Sequence, residues 1–360
     1  MTCAACGQAL PDGALFCEAC GAKVGSAAAP TVLTPPTTAN EDESPISTPT
    51  AVRPPVVVEA PQARTCAECG GTVAADGYCE QCGAKAASER DHFREAPAPW
   101  LAGVCDRGIV HARNEDAMAL YADPAVPGRS VVVVCDGVSS SKDSDVASLA
   151  GARAARDVLR APLPQGLGVA ESIEAAATRV FVTAAEAANT AVVAHTDLSS
   201  EAPASCTFVA AVAEGSLLRY AVIGDSRAYW LPDAGEGVQL TTDDSMAQLL
   251  MAGGMTRAQA EASPQAHAIT KWLGKDSPDI VPVCGSLDAT GPGWLLVCSD
   301  GLWNYASEPA ALADQLRAAA AGAAEESKAD PGTLALALVE FAKACGGHDN
   351  ITVALARVVP

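Results

Sequence analysis

The run VVVVCDG at residues 131–137 decides how this chain is read. Four consecutive β-branched residues describe a strand buried on both faces, and Asp136–Gly137 makes a corner where that strand leaves the sheet. The pattern returns in WLLVCSDG at 294–301, which ends on Asp300–Gly301, and in GGHDNITVALARV at 346–358, where Asp349–Asn350 precede a last apolar strand. VIGDSR at 222–227 adds Asp225, and RNEDAM at 113–118 adds Glu115 and Asp116. A single strand-end aspartate is an ordinary turn former. Three D-G or D-N corners on buried strands, unmatched by Lys or Arg, call for a different account. Carboxylates gathered in a cleft repel one another unless cations neutralise them. All-oxygen ligation then selects hard ions such as Mg²⁺ or Mn²⁺. Two such ions, about 4 Å apart, can activate a bridging water and hold a phosphoryl group for in-line attack, with no nucleophilic side chain needed.

Around these corners strands and helices alternate irregularly. CTFVAAVAE at 206–214 and LLRYAVIG at 217–224 read as further buried strands, and the tight turn between them predicts antiparallel pairing. Helices are expected over Asp145–Arg160 and Val169–Ala194, and again over Pro309–Ala321 and Gly332–Ala344. Val146, Ala150 and Val158, then Ile173, Val180 and Ala184, fall near helical spacing and are expected to face a core. The mixture predicts an α+β sandwich rather than a doubly wound parallel sheet.

Eight of the 14 cysteines stand in C-x-x-C pairs: Cys3/Cys6, Cys17/Cys20, Cys66/Cys69 and Cys79/Cys82. Two such pairs offer four thiolates to one tetrahedral zinc ion. A glycine follows every pair (Gly7, Gly21, Gly70, Gly83), letting the backbone turn back so that its N–H groups approach the sulfurs. Modules this short cannot bury a core, so the metal must supply most of the folding energy. The two modules are an internal repeat and resemble double zinc-ribbon domains, which implies two structural Zn²⁺. The chain is thus expected to divide into a first ribbon (1–25), a disordered Pro/Thr/Ala-rich linker (26–63), a second ribbon (64–87), a charged spacer (88–98) and a main domain (99–360). The remaining cysteines are scattered singly, and the several that lie in apolar strand-like runs read as buried, inert thiols.

A formal net charge of −20 over 360 residues argues against general binding to nucleic acid or anionic membranes. The ribbons carry few basic residues, so protein docking or tethering is their expected role. Met1 leads directly into Cys3 without an apolar stretch, and no run approaches the roughly 20 residues of a membrane span, so a cytoplasmic protein is expected.

In order along the chain stand DRGIVHARNEDA (106–117), VVCDGVSSS (133–141), SCTFVAAV (205–212), VIGDSRAYWL (222–231), LTTDDS (240–245), HAITKWLG (267–274), LLVCSDGLW (295–303) and GGHDNITV (346–353). This series resembles the metal-dependent type 2C Ser/Thr protein phosphatases, bacterial branch. The resemblance implies a four-layer α-β-β-α sandwich of two antiparallel sheets flanked by helices. It also implies hydrolysis of phosphoserine and phosphothreonine on proteins, in partnership with a Ser/Thr kinase. On it, Asp136 bridges two Mn²⁺ or Mg²⁺ ions and the Gly137 carbonyl binds one of them. Asp300 and Asp349 complete the other shell, Glu115 and Asp116 hold metal-bound waters, and Asp225 marks a third, weaker metal. The stretch from Met246 to His267 matches a mobile flap. Two departures stand out. His111 occupies the position of the family's phosphate-clamping arginine, leaving His111 or Arg113 to bind phosphate, and the usual G-T-T triplet is Ser205–Cys206–Thr207. The alternative reading is an inactive or single-partner phosphoprotein-binding regulator scaffolded by its ribbons.

Overall fold

A computed structural model of the chain describes residues 65–360, apart from 67, 68, 75, 85, 87, 139, 140, 165–167 and 198. The first ribbon and the linker at 26–63 lie outside the described residues.

Thirteen strands and seven helices follow one another among the described residues. Strands β1 (His92–Ala98), β2 (Leu101–Asp106), β3 (Ala117–Ala122) and β4 (Ser130–Cys135) come first, then helices α1 (Ser144–Leu159) and α2 (Ala170–Ala194). Next are β5 (Ser205–Cys206), β6 (Phe208–Glu214), β7 (Leu217–Ile223), β8 (Arg227–Pro232) and β9 (Val238–Gln239), followed by α3 (Met246–Ala252) and α4 (Arg257–Glu261). The chain closes through β10 (Leu273–Gly274), β11 (Val283–Asp288), β12 (Gly293–Cys298), α5 (Asp300–Trp303), α6 (Pro309–Gly322), α7 (Pro331–Ala344) and β13 (Ile351–Val358). Two large sheets result, in the orders β1-β2-β13-β12-β8-β9 and β11-β7-β6-β4-β3, with β5 and β10 forming a small third. Every pairing is antiparallel.

The period-2 alternation of strand side chains sorts each apolar run into two cores. In β4, Val132 and Val134 enter the core between the sheets. Val131, Val133 and Cys135 point the other way, into a second core shared with α1 and α2. In β12, Leu295 and Val297 join the inter-sheet core. Trp294, Leu296 and Cys298 pack under α6 and α7. The four-layer α-β-β-α sandwich expected from the sequence is the architecture observed, and it explains why central strands read as unbroken apolar runs: both faces are covered.

Two expectations are corrected. The buried stripe of α1 is Ala147, Ser148, Gly151, Ala152, Ala155 and Leu159, while Val146 is 49% exposed. Small residues let α1 lie close against α2, so the stripe follows size rather than hydrophobicity; a Cβ added at Gly151 would stand 3.0 Å from Val192 Cγ2. The stretch 88–98 is not a spacer. Ser88 and Asp91 form a capping box around a 3-10 turn (Glu89–Asp91). The chain then enters β1, which pairs with β2 from His92↔Asp106 to Ala98↔Leu101 through an irregularity after Glu95. Proline-bearing HFREAPA can be a strand because it lies at the edge, where a missing N–H costs no ladder bond.

Antiparallel order brings the aspartate corners together. β12 and β13 are neighbours, so the end of one (Asp300) and the start of the other (Asp349–Asn350) share an edge. β3 and β4 do the same for Asp116 and Asp136. Asp225 lies where the chain crosses from β7 in one sheet to β8 in the other.

Candidate metal-dependent active site

Asp136, Gly137, Asp225, Asp300 and Asp349 line one cleft of about 210 Å³, together with Val138, Thr207, His267 and Ile269. The corner at Asp136 is braced from the residue between β5 and β6: Thr207 N–H donates to the Asp136 carbonyl (2.8 Å) and Asp136 N–H donates to Thr207 Oγ1 (3.0 Å). Thr207 is itself 2.7 Å from Ser226 Oγ, beside Asp225. The altered triplet therefore keeps the residue that holds Asp136 in place. Gly301 admits the neighbouring corner, because a Cβ there would fall 2.0 Å from the Asn350 carbonyl oxygen. Asn350 knits the site together, accepting from Glu115 N–H (2.7 Å) and donating to the carbonyls of Arg107 (2.8 Å) and Arg113 (3.1 Å).

The cleft concentrates negative charge away from solvent. Burial raises the Asp136 carboxyl far above its ordinary range, and the charges of Asp116, Asp300, Asp349 and Asp225 push it further. Asp300 is raised in the same way, by burial first and then by Asp225, Asp349 and Asp116. Asp225 is pushed up to about 7 by burial and by Asp243, against the pull of Arg227. Asp116 rises to about 6, burial outweighing hydrogen bonds from Ser299 (2.6 Å) and Thr352 (2.7 Å). Asp116 Oδ1 and Asp300 Oδ1 are buried without a hydrogen-bond partner among the described residues. An orphaned oxygen on Asp300, in an acid-lined pocket, is what a hard divalent cation satisfies, so the donor set fits Mg²⁺ or Mn²⁺.

The other expected residues divide. Asp116 lies fully buried behind the cleft. Glu115, 2% exposed, is tied up by Arg113, whose Nη2 donates to its Oε1 (2.7 Å), and by Ser144 Oγ. Arg113 also donates to the Ser141 carbonyl (2.8 Å), so its guanidinium is committed to this loop. His111 instead faces the cleft rim, with Nε2 3.3 Å from Asp349 Oδ1. Sequence reasoning missed His267. It lies in the cleft lining and stacks on Trp303 (centroids 5.9 Å apart), which is pinned by Nε1–H donation to the Asp225 carbonyl (2.9 Å) and by the Arg227 guanidinium 3.6 Å from its ring centre. Its only signal was its place at the head of HAITKWLG. The 246–267 stretch folds as α3 and α4, closed at its base by a Ser245↔Ile269 bridge and held to β8 through Glu261 and Arg227 (3.4 Å).

The chain shares this architecture with a known family. The family model for protein phosphatase 2C matches residues 109–340. The chain belongs to the protein phosphatase 2C family. A second family model, a zinc-ribbon domain, matches residues 2–24. Among related 2C phosphatases, the Ser/Thr protein phosphatase PstP of Mycobacterium tuberculosis is 32% identical over 256 residues, 71% of this chain. This chain spans only 44% of that protein's length. The Ser/Thr phosphatase stp of Listeria welshimeri is 28% identical over 253 residues, 69% of this chain and 92% of its own length. Crystal structures agree. The mycobacterial phosphatase superposes with a TM-score of 0.56 at 28% identity, covering 72% of this chain and 98% of that one. A Ser/Thr phosphatase of S. agalactiae gives 0.58 at 25%, covering 74% and 100%.

The second cysteine module forms a separate candidate site in this 2C-family chain. The Sγ atoms of Cys66, Cys69, Cys79 and Cys82 lie within 4.8 Å of one another. Its two knuckles are built alike. Gly70 and Gly83, both in the left-handed region (φ 74° and 71°), each donate N–H to the carbonyl of the pair's first cysteine at 2.9 Å. Backbone N–H groups of Cys82 and Gln81 hold the Cys79 thiol down to about 6. At Cys69 the Gly71 N–H pulls downward, but the sulfurs of Cys82 and Cys79 prevail and push it up to about 12. Four sulfurs so close, only part of them ionisable alone, fit a zinc ion. Cys3, Cys6, Cys17 and Cys20 lie outside the described residues. Among the described residues no helix is long and apolar enough to cross a membrane.

Proposed function

We propose that this chain is a metal-dependent protein Ser/Thr phosphatase, acting on phosphoserine or phosphothreonine left by a Ser/Thr kinase in the cytoplasm. One observation carries the reading: Asp136, Asp225, Asp300 and Asp349 converge in a single cleft, where burial and the neighbouring carboxylate charges raise the carboxyls of Asp136, Asp225 and Asp300. Asp136 would contact two Mn²⁺ or Mg²⁺ ions, with the Gly137 carbonyl, Asp300 and Asp349 completing their shells and Asp225 serving a third. Such ions, when bound, supply Lewis-acid activation of water and of the phosphoryl group. The chain's own residues do the positioning. Thr207 fixes the Asp136 corner, Asn350 fixes Glu115, and Asp116 offers an acceptor oxygen behind the cleft. His111 is the better candidate for the phosphate clamp, because Arg113 is spent on Glu115, and His267 faces the same cleft from the flap side. The two ribbons hold one structural zinc each and serve as protein-docking modules.

Calorimetry with Mn²⁺ and a chromogenic phosphate monoester assay test the reading together. The wild type should bind Mn²⁺, release protons on binding, and lose activity to a chelator. Asp136→Ala should lose Mn²⁺ binding and at least about 10³-fold in rate. Full activity in that variant would refute the proposal.

A further inference from the structure

Arg90 belongs neither to the matched phosphatase segment, which begins at residue 109, nor to the cysteine knuckles, whose last sulfur is on Cys82. Yet its side chain reaches the back of the candidate metal site. Arg90 Nη2 donates to the backbone carbonyl of Asp116 (2.8 Å) and to that of Asp145 (3.0 Å). The first is the carbonyl of a carboxylate whose Oδ1 is orphaned. The second lies in the opening turn of α1, next to Ser144, which hydrogen-bonds Glu115. One guanidinium nitrogen thus ties the start of β3 to the start of α1.

The need is legible in the topology. β3 is an edge strand, so carbonyls on its open side lack a ladder partner. Arg90 is itself fixed at several points. Its N–H donates to Ser88 Oγ (3.1 Å), its carbonyl accepts from Asn114 Nδ2 (2.8 Å), and its guanidinium lies 5.3 Å from the centre of the Phe93 ring. The next residue, Asp91, accepts through its carbonyl from Arg107 N–H (2.8 Å). Its Nη1 is buried without a hydrogen-bond partner among the described residues, so the two Nη2 bonds and the Phe93 ring hold the guanidinium in place.

We propose that Arg90 is a positioning residue for the metal site: it sets the backbone at Asp116 and Asp145, and through them the placement of Asp116 and the Ser144–Glu115 pair. Outer contacts of this kind typically change metal affinity by about 10- to 100-fold. The proposal rests on the cleft being a Mn²⁺ or Mg²⁺ site.

The test is Mn²⁺ calorimetry on full-length wild type, Arg90→Ala and Arg90→Lys, with thermal melts of each metal-free protein alongside. Arg90→Ala should weaken Mn²⁺ binding about tenfold or more and raise by a similar factor the Mn²⁺ needed for half-maximal ester hydrolysis. KM for the ester at saturating Mn²⁺ should change less than twofold. Arg90→Lys keeps a charge and donors but loses the fork, so it should fall between the two. If Arg90→Ala fails to fold, Arg90→Lys carries the test with a smaller shift in the same direction. A lowered melting temperature with wild-type Mn²⁺ affinity would make Arg90 a structural residue only and overturn the inference. No Mn²⁺ binding by the wild type would instead refute the proposed function, and this inference with it.

Discussion

Asp225→Asn should stabilise the metal-free protein at neutral pH. In the folded chain this carboxyl titrates at about 7 instead of its ordinary 3.8, because burial and the charge of Asp243 outweigh Arg227 and a backbone N–H. Between those two pH values the folded state keeps a proton that the unfolded chain has released. Stability therefore falls as pH rises through this window and stays low above it. A tenfold change in proton affinity is about 1.4 kcal/mol, so an ionised Asp225 costs the metal-free fold up to about 4 kcal/mol at pH 7.5. Asparagine removes the charge but must still bury an amide, which leaves a net gain of about 1–3 kcal/mol. At roughly 2–4 °C per kcal/mol for a domain of this size, the melting temperature should rise by about 3–10 °C. The assay is a thermal melt in chelator at pH 7.5 and at pH 4. The gain should be present at the first and mostly gone at the second, where the folded carboxyl is protonated and the unfolded one is close to its own midpoint. Added Mn²⁺ should then stabilise the wild type more than the variant. An unchanged or lowered melting temperature at pH 7.5 would refute the idea that these carboxylates strain the empty cleft.

Further outcomes follow from the same geometry. His111→Arg should lower KM for a phosphate ester, whereas Arg113→Ala should raise the Mn²⁺ requirement by freeing Glu115 and leave KM nearly unchanged; steady-state kinetics at several Mn²⁺ concentrations separate the two. Metal analysis should find one zinc per chain in a fragment spanning 63–360 and about two in the full chain, and Cys79→Ser should empty the site in the fragment. A fragment beginning at residue 88 should hydrolyse the ester about as fast as the whole chain. One beginning at residue 96 should be much weaker in Mn²⁺ response, since it lacks Arg90 and half of β1.

Much of this was legible because buried strands announce themselves. Val131–Cys135 and Trp294–Cys298 could be read as strands from composition, and each delivered its aspartate to the cleft. Helix limits came within one residue at most ends, since Pro309 and Pro331 mark helix starts. What failed depended on partners far away in sequence. β1 is stable only because β2 lies beside it, so residues 88–98 read as a spacer. The buried face of α1 is set by the closeness of α2, which no moment along α1 alone could reveal. Arg113 looked available as a clamp because nothing local says that Glu115, Ser141 and Ser144 claim its donors. His267 reached the cleft by the folding of a whole segment between β9 and β10.

The aspartates come from both halves of the sandwich. Asp136 leaves β4 of one sheet, while Asp300 and Asp349 flank β12 and β13 of the other. A cation held by all three would rivet the two sheets together at one end, across the apolar layer between them. Any sliding of one sheet across the other changes the spacing of the carboxylates. Residues such as Val132 and Leu295, deep in that layer, would thereby act as shims that set how tightly the rivet closes.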